Sequence, residues 1–421
     1  MPKRSRAVEN RMDEFALLLA GPDDVVVLKA APDGAYLEYL EHLRLALPRV
    51  LVPRTQDPDV TVTQDALNDP GLRHALERAG QEGAYLWPHG VSELEERLAT
   101  AARLPLAAAP ASVCKAVNSK VYSRRLADEL GLRQPRGFAC RTVDEFTAAA
   151  GAVRAWLSGG RPVAVKDAYG VSGKGIVVLR DEQRLDQVHR MIVRRAARTG
   201  QDRVAVVVEE WVAKTADLNY QFAVGRDGTV EFDFVREAIT ENGVHKGHRL
   251  PARLTPARVA ELESATRSLG ARLAVDGYFG LVGVDALLGE DGRLFPVIEI
   301  NARNNMSTYQ ESLRERFIGA DTTALALQYD VRLRRPLPFG VLQRLLGGLL
   351  LGPAGGTGLL VNNFATVNAN ANPAAPDRPA GTPFDGRLYG IVVADSDERA
   401  VAVDGEIRSR LVALRNGGGD A

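Results

Sequence analysis

The chain has 421 residues, of which 45% are hydrophobic and 25% charged, a composition typical of a soluble globular protein with two or three packed units. This excludes disordered, collagen-like and disulfide-stapled chains. Lysine plus arginine and aspartate plus glutamate each number 53, so the formal net charge is zero and no overall basic field favours nucleic acid. Only eight of the basic residues are lysines, which deliver a compact charge that arginine cannot imitate.

Two cysteines, Cys114 and Cys140, are too few for a disulfide framework and indicate reduced thiols in a cytoplasmic protein. The first fifteen residues begin with basic side chains but contain no apolar segment of the signal-peptide kind. The most apolar stretch, 341–361, is interrupted by charged, proline and glycine residues. We therefore expect neither a membrane span nor a membrane partner.

Hydrophobic periodicity predicts an N-terminal α/β domain over residues 1–112, in which strands alternate with helices. Ser92 and Glu95 have the spacing of a helix capping box. The predicted elements of this domain are strands at 24–29 and 50–52 and helices at 36–47 and 92–103.

A second unit, the core over residues 113–325, opens with one helix that runs from 113 to Gly131. Turn sequences at 225–228 and 289–292 each predict a β-hairpin, and we expect a lid lobe at about 135–212. The other predicted elements are strands at 162–166, 175–179, 204–209, 218–224, 229–235, 280–288 and 293–300 and helices at 181–199 and 256–273.

The last unit, a small C-terminal subdomain over residues 326–421, contains a stretch rich in glycine, alanine, asparagine and proline at 352–383. Loops and short strands are expected there. The three units together predict an α/β protein with a two-lobed core and a C-terminal extension.

A glycine-rich loop separates a strand that ends at Lys166 from one that begins near Gly175. Glycines allow close backbone approach and expose N–H groups, which suits phosphate oxygens. The loop has no Gly-Lys-Ser/Thr ending and no helix after it, so it is neither a P-loop nor a dinucleotide fingerprint. It predicts a lid over a triphosphate, with a ligand-free glycine turn as the alternative. The candidate contacts are Gly170, Ser172, Gly173, Lys174 and Gly175.

Three oxygen-bearing side chains are expected to converge on the second hairpin. Glu299 and Asn301 lie two residues apart and share a sheet face, and Asp285 lies on the neighbouring strand. Carboxylates inside an otherwise apolar sheet are costly unless something compensates them, and Mg²⁺ prefers such oxygen ligands. The set predicts a magnesium site, with an outward-facing polar edge as the alternative.

The apolar run 204–212 ends in Glu209, Glu210 and Trp211, and Asp217 follows. A strand of this kind between two units can offer backbone groups to a purine edge, with Asp217 within reach of a ribose. The alternative is a core strand with an acidic end.

Four potential cations lie within five residues, at His245, Lys246, His248 and Arg249. We expect a substrate-side loop beside the terminal phosphate, with a solvated loop as the alternative. No matching Cys/His pair accompanies the two histidines, which argues against zinc. The basic helix at 189–198 predicts a solvated helix face.

The order of Lys120, Lys166, the glycine loop, Asp285 and the VIEINAR sequence at 297–303 resembles the ATP-grasp superfamily over about residues 113–320. The resemblance implies two β-rich lobes with ATP between them. The implied roles are Lys120 and Lys166 on the α- and β-phosphates; Glu209, Glu210 and Val212 at the adenine; Asp217, where the family more often has glutamate, at the ribose; Asp285, Glu299 and Asn301 on two Mg²⁺ ions; and Arg303 facing an acyl phosphate.

The flanking segments are similar to those of the pheganomycin-type peptide ligase group. That resemblance implies a ligase of specialised metabolism, which activates an amino-acid carboxylate as an acyl phosphate and joins it to the amine of an amino acid or peptide. Lys246, His248 and Arg249 would then act with Arg303, and relatives that dimerise imply a homodimer.

Two alternatives remain. The acceptor could be the thiol of an acyl carrier protein. A basic docking patch for an acidic carrier would favour this alternative, and a net charge of zero does not favour it. The chain could also be a non-catalytic nucleotide-binding regulator, although the retained Glu299, Asn301 and phosphate lysines favour an enzyme.

Overall fold

The structure is a computed structural model that describes residues 6–170, 175–200, 202–241, 244–319, 321–371 and 382–415. The strands are β1 (Val25–Val27), β2 (Arg49–Leu51), β3 (Gly137–Thr142), β4 (Val163–Asp167), β5 (Ile176–Leu179), β6 (Arg203–Glu210), β7 (Lys214–Val224), β8 (Val230–Glu241), β9 (Val244–Leu250), β10 (Gly280–Gly289), β11 (Leu294–Asn301), β12 (Thr323–Leu333), β13 (Gly358–Asn363) and β14 (Phe384–Ala394).

The α-helices are α1 (Ala7–Asn10), α2 (Gly34–His42), α3 (Val62–Asn68), α4 (Pro70–Gln81), α5 (Glu93–Ala101), α6 (Ala111–Val117), α7 (Lys120–Glu129), α8 (Val143–Ser158), α9 (Glu182–Thr199), α10 (Pro256–Val275), α11 (Thr308–Glu311), α12 (Arg314–Phe317), α13 (Phe339–Leu346) and α14 (Asp397–Arg415). Short 3₁₀ helices lie at Met12–Leu18, Gly347–Leu349 and Ala365–Val367.

In the described residues the strands form three sheets. The largest has eight strands in the order β11-β10-β7-β8-β9-β12-β14-β13, the second has four in the order β3-β6-β4-β5, and β1 and β2 form a parallel pair. Within this described part, no helix combines the length and the apolar run that a bilayer crossing requires. The mixed helix and sheet content confirms the predicted α/β class.

The lid lobe is the four-stranded sheet with α8 and α9 packed against it. Asp181 caps α9, its side chain accepting a hydrogen bond from the Arg184 amide at 2.7 Å. Leu185 and Val188 lie on the inner face of α9, in one apolar cluster with Phe146 of α8. The four strands lie within the limits of 135–212 expected for this lobe.

The large sheet does not end at the expected boundary near residue 325, because β12 crosses it and pairs with β9 on one side and β14 on the other. Its far strands share an apolar core with the N-terminal segment. The Tyr36 and Tyr39 hydroxyls donate to the Val361 and Leu359 carbonyl oxygens at 3.2 Å each. The two ends of the chain therefore form one packed layer.

Two sequence predictions of local structure are wrong. The single helix expected from 113 is two helices, because the Asn118 side chain bonds the carbonyl of Cys114 and both backbone groups of Ala302 instead of continuing the turn. The loop expected at 240–249 is the end of β8 and the strand β9. Polar residues of this strand have polar partners, with His248 beside Ser307 and Arg249 beside Asp397.

Candidate active site

Lys120 links the lid lobe to the large sheet. It is the first residue of α7, which contacts β11 of the large sheet and β3 and β6 of the lid. Its Nζ donates to Glu299 Oε1 at 2.6 Å and also to the carbonyl oxygen of Gly170 in the glycine-rich loop. A buried ammonium at this junction therefore lies where the predicted phosphate loop meets the predicted metal ligands.

Lys166, on the lid sheet, belongs to a buried charge cluster. Its Nζ lies 2.5 Å from Glu209 Oε1, and Arg124 Nη1 lies 3.1 Å from Glu209 Oε2. All three side chains are at most 9% exposed. Two cations therefore share the one buried carboxylate, and Arg124 Nε also lies 4.0 Å from Oδ2 of the largely exposed Asp128. Sequence reasoning placed Glu209 at the adenine, and the structure gives its carboxylate to these two cations.

Asp285 and Glu299 are directly opposed on β10 and β11. Like charges in this position are unfavourable on their own. Asn219 Nδ2 donates to Asp285 Oδ1 at 2.9 Å, and Asn301 Nδ2 lies 3.4 Å from Asp285 Oδ2. Burial raises the pKa of Glu299 and the charge of Asp285 raises it further, while Lys120 lowers it. The carboxylate pair therefore lies in a place where added positive charge is favourable.

The donor set fits a hard divalent cation. No three His, Cys, Asp or Glu side chains form a metal cluster within the described residues. Asp285 and Glu299 instead provide two half-buried carboxylates, and the Asn301 amide oxygen, which accepts a hydrogen bond from Arg303, would complete the set. Mg²⁺ prefers oxygen ligands and is commonly bound by one or two carboxylates together with substrate phosphates. These residues fit an ion shared with a triphosphate.

Arg303 lies beside this set, as expected. Its Nη2 donates to Asn301 Oδ1 at 3.0 Å, and its Nη1 donates to the Asn304 carbonyl oxygen at 3.2 Å. The N-terminal domain reaches the same place, because the His89 carbonyl accepts from the Asn304 amide at 2.9 Å. Burial, and then the charge of Arg303, lower the pKa of His89 to about 4. This histidine is therefore neutral at physiological pH.

The segment that connects β6 to β7 crosses between the two lobes. The Glu210 and Trp211 amides donate to the Arg136 and Pro162 carbonyls at 2.8 Å each, which ties this end of β6 to the lid. Within the described part of the chain, nothing hydrogen-bonds the backbone N–H or C=O of Val212. The role that the sequence predicts for these groups, at a purine edge, remains a prediction.

Asp217 lies at the start of β7, two residues before Asn219 and on the same face. Its Oδ1 accepts from Lys214 Nζ at 2.6 Å, and its Oδ2 accepts from Thr240 Oγ1 at 3.3 Å. The carboxylate is thus held near the crossing segment, and its ribose role remains a prediction.

The glycine-rich loop is described only at its two ends. Gly175 has a positive φ of 89°, a conformation that favours glycine, and its carbonyl accepts from the Asp167 amide at 2.9 Å. Gly170 is the residue that Lys120 contacts. The predicted phosphate contacts Ser172, Gly173 and Lys174 lie outside the described residues.

His248 lies on the active-site face of the large sheet. It is opposite Ala238, which is opposite Asp217, so it shares the face of Asp217 and Asn219. Its Nε2 is 3.4 Å from Ser307 Oγ, which donates to Asn219 Oδ1 at 2.7 Å. A buried chain of polar groups therefore connects His248 to Asp285.

Arg249 and Lys246 are not brought to the carboxylate pair. Arg249 follows His248 on the strand and so lies on the opposite face, where its Nη1 is 2.5 Å from Asp397 Oδ1. Lys246 is half-buried on β9 with its Nζ 3.8 Å from Asp330 Oδ2. Strand alternation therefore separates Arg249 from His248, and Lys246 lies next to a register shift between β8 and β9.

Sequence reasoning missed Arg236, Asn219 and Arg124. Arg236 is 1% exposed and is opposite Asn219 on the active-site face. Its guanidinium donates to the Ser307 carbonyl and to Gln310 Oε1 at 2.7 Å each, and burial lowers its pKa to about 10. The available signal was a single arginine in a strand whose other charged residues are all acidic. Such a charge needs partners when it is buried.

Two family models match the chain. Residues 12–104 match the Pre ATP-grasp domain, and residues 119–329 match the ATP-binding domain of the carbamoyl-phosphate synthase L chain. The second match contains Lys120, Lys166 and the carboxylate pair.

Curated relatives match the chain at modest identity. It is 27% identical over 312 residues to the [Butirosin acyl-carrier protein]--L-glutamate ligase of Niallia circulans, a match that covers 73% of this chain and 67% of the relative. It is also 27% identical over 226 residues to the arginine-specific carbamoyl phosphate synthase large chain of Eremothecium gossypii. That second match covers 53% of this chain but only 19% of the relative.

Solved structures share the fold. Biotin carboxylase of Campylobacter jejuni, in a β,γ-ATP complex, is 14% identical with a TM-score of 0.56, and the match covers 99% of this chain and 95% of that one. The biotin carboxylase domain dimer of Hydrogenobacter thermophilus 2-oxoglutarate carboxylase, with MgADP, ADP and bicarbonate, has a TM-score of 0.53 at 14% identity. That match covers 93% of this chain and 84% of the other.

Proposed function

This chain belongs to the ATP-grasp ligases through its carbamoyl-phosphate synthase ATP-binding domain, and we propose that it activates an amino-acid carboxylate as an acyl phosphate. As a member of that family it is an ADP-forming enzyme that uses ATP and Mg²⁺. The number of Mg²⁺ ions, which we take as two, and the identity of both substrates are parts of the proposal.

The observation that carries the proposal is the meeting of buried cations and a carboxylate pair between two sheets. Lys120 contacts both Glu299 and the glycine loop, and Lys166 shares the buried Glu209 carboxylate with Arg124. We assign these two lysines to the phosphates of ATP. The backbone groups of Val212, which no residue in the described part of the chain hydrogen-bonds, are assigned to the adenine edge.

The reaction follows from these groups. A carboxylate is a poor acyl donor because its leaving group would be oxide. One carboxylate oxygen attacks the γ-phosphorus, the bond between that phosphorus and the β,γ-bridging oxygen breaks, and ADP leaves. Mg²⁺ at Asp285, Glu299 and Asn301 would neutralise charge on the phosphates. Arg303, anchored on Asn301, is placed to hold the acyl phosphate, so the protein's contribution is positioning and electrostatics.

The acceptor that we propose is the amine of an amino acid or a peptide. The amine nitrogen attacks the acyl carbonyl carbon, the bond to the phosphate oxygen breaks, and the amine loses a proton as the amide forms. His248 lies on the face of the sheet where this acceptor would approach. We propose that His248 and the half-buried Lys246 contact it.

A second acceptor is favoured by a specific observation. The relative that covers 73% of this chain joins glutamate to an acyl carrier protein, so its acceptor is a protein. In that case a thiol sulfur attacks the same carbonyl carbon and a thioester replaces the amide. A homodimer also belongs to the proposal, since one of the similar structures is a dimer.

The test is ADP release with a panel of amino acids as carboxylate donors. Each donor is assayed alone, with amino-acid or dipeptide amines, and with pantetheine as a small thiol, and the products are identified by mass spectrometry. We expect ADP release that requires the carboxylate and a new amide in the amine arm. A product found only with pantetheine would replace the amine by the thiol acceptor, and no ADP with any combination would refute the proposed function.

A further inference from the structure

The outer face of α9 is an arginine stripe. Arg190, Arg194 and Arg198 follow one another at four-residue spacing, and Arg195 stands in the adjacent row next to Met191, which is 61% exposed. Residues four apart lie on the same side of a helix. With Gln187 these side chains line a shallow groove of about 530 Å³.

The stripe is not used for packing. The helix buries its opposite face through Leu185 and Val188. None of the four arginines forms an ion pair within the part of the chain that the structure describes, whereas Arg154 of the neighbouring α8 pairs with both Glu182 and Asp186. Like charges four residues apart on a helix repel one another and destabilise it. The stripe is therefore a surface that an anionic partner would stabilise.

The C-terminal end of the arginine stripe lies at the edge of the lid lobe that carries the glycine-rich loop. After α9 the chain turns at Gly200 and enters β6 at Arg203. Ala205 lies near the start of that strand, and its carbonyl oxygen accepts a hydrogen bond from the Ala168 amide at 2.8 Å. Ala168 begins the glycine-rich loop. The C-terminal end of the stripe thus lies at the end of the lid that carries the predicted phosphate loop.

We propose that the arginine stripe docks an acidic acyl carrier protein, whose phosphopantetheine arm reaches the acyl phosphate from this edge of the lid. Carboxylates on a carrier helix would pair with the four arginines, and apolar side chains between them would cover Met191. The exposed methionine in the middle of the stripe favours a protein over nucleic acid. The inference rests on the thiol acceptor of the proposed function.

The docked step balances without further reagents. The carrier's thiol sulfur attacks the acyl carbonyl carbon, the bond from that carbon to the phosphate oxygen breaks, and phosphate leaves with the electron pair. The thiol proton passes to the departing phosphate or to solvent. ATP, whose use the family membership already establishes, supplies the only activation.

The experiment compares a charge reversal in the stripe with a matched one elsewhere. Arg190→Glu/Arg194→Glu changes the stripe, and Arg78→Glu/Arg267→Glu makes the same charge change at two exposed helical arginines outside it. Each variant is assayed with a strongly acidic holo-acyl carrier protein and, separately, with pantetheine, which needs no docking. Thermal melts verify that both variants are folded.

For the stripe variant we expect the KM for the carrier to rise about tenfold, with pantetheine kinetics unchanged, because rim charges act on encounter with the partner. Added salt should raise the wild-type KM for the carrier and have little effect in the stripe variant. The control variant should behave as wild type in both assays.

Three results would overturn the docking site. The first is an unchanged KM for the carrier in the stripe variant. The second is acylation of pantetheine, but not of the carrier, by the wild-type protein. The third is that the wild-type protein binds duplex DNA or self-associates and that only the stripe variant loses this property. If no carboxylate gives ADP with any acceptor, the proposed function fails first, and this outcome is distinct from the other three.

Discussion

Glu299, which is half-buried, and Glu14, which is fully buried, lie in different parts of the molecule and differ in the groups that hold them. Glu299, in the active site, receives a hydrogen bond from the Lys120 ammonium and is opposed by Asp285. Glu14, in the layer where the chain's two ends meet, accepts at Oε2 from the Phe364 and Ala365 amides at 2.6 and 2.7 Å. Burial raises the pKa of both groups.

The two glutamates therefore have different roles. Glu299 belongs to a charged site, and Glu14 belongs to a structural joint, the contact between the N-terminal and C-terminal segments. Around Glu299, cations and a second carboxylate meet between two sheets, which leaves charges that a metal and a phosphate can complete. Around Glu14 the bonds come from backbone amides and tie the 3₁₀ helix at Met12–Leu18 to the one at Ala365–Val367. A buried carboxylate is therefore informative only together with the groups that neutralise it.

The largest effect is expected at the charged site. Glu299→Gln should lower ADP release about 1,000-fold, because it removes a metal-ligating charge where several kcal/mol of transition-state stabilisation are supplied. A coupled ADP assay at saturating ATP measures the loss. Asp385→Asn, at an exposed position on β14, is the matched control and should leave the rate unchanged. ADP release near the wild-type rate in Glu299→Gln would remove this residue from the metal site.

The next effect concerns the structural joint and pH. Burial raises the pKa of Glu14 from 4.5 to about 7, against the opposing charge of Arg11 and with a further increase from Asp13. Between pH 4.5 and 7 the folded chain holds a proton that the unfolded chain has lost. The contribution of Glu14 to stability therefore falls as pH rises through this window, by roughly 3 kcal/mol in total.

Glu14→Gln should remove that dependence. Urea unfolding at pH 5, 6 and 7 should give a free energy of unfolding that declines less with pH in the variant than in wild type. Asp13, whose pKa burial raises to about 6, is present in both proteins and contributes to both pH curves. The kcat for ADP release should remain at the wild-type value, and parallel pH curves for the two proteins would contradict the assignment.

The smallest effect is expected at Arg249, which the sequence placed in the active site and the structure places against Asp397. Arg249→Met should change ADP release by less than about twofold and lower the free energy of unfolding by about 1 kcal/mol or less, since Arg253 still pairs with Asp397. A loss of activity above tenfold with unchanged stability would return Arg249 to the catalytic groups.

Local sequence signals were sufficient to predict much of the fold and the central residues of the site. The capping box of Ser92 and Glu95 is present, β10 and β11 form the expected hairpin, and Asp285, Glu299, Asn301 and Arg303 lie together. These features depend on residues within about twenty positions of each other, where strand alternation and turn chemistry determine geometry.

The sequence by itself determined the fold class, the family resemblance and the hairpin that carries the carboxylates, because each is encoded in short-range spacing. Only the tertiary structure decided that Glu209 binds Lys166 and Arg124, that Arg249 faces away from its neighbour His248, and that the chain's two ends share one core. These outcomes depend on which strands pair and which faces meet, and such contacts join residues far apart in the chain. Lys120 and Lys166, two of only eight lysines in the chain, show both contributions. The sequence identified them as candidate phosphate contacts, and the fold placed the Lys120 ammonium beside Glu299 and the Lys166 ammonium beside Glu209.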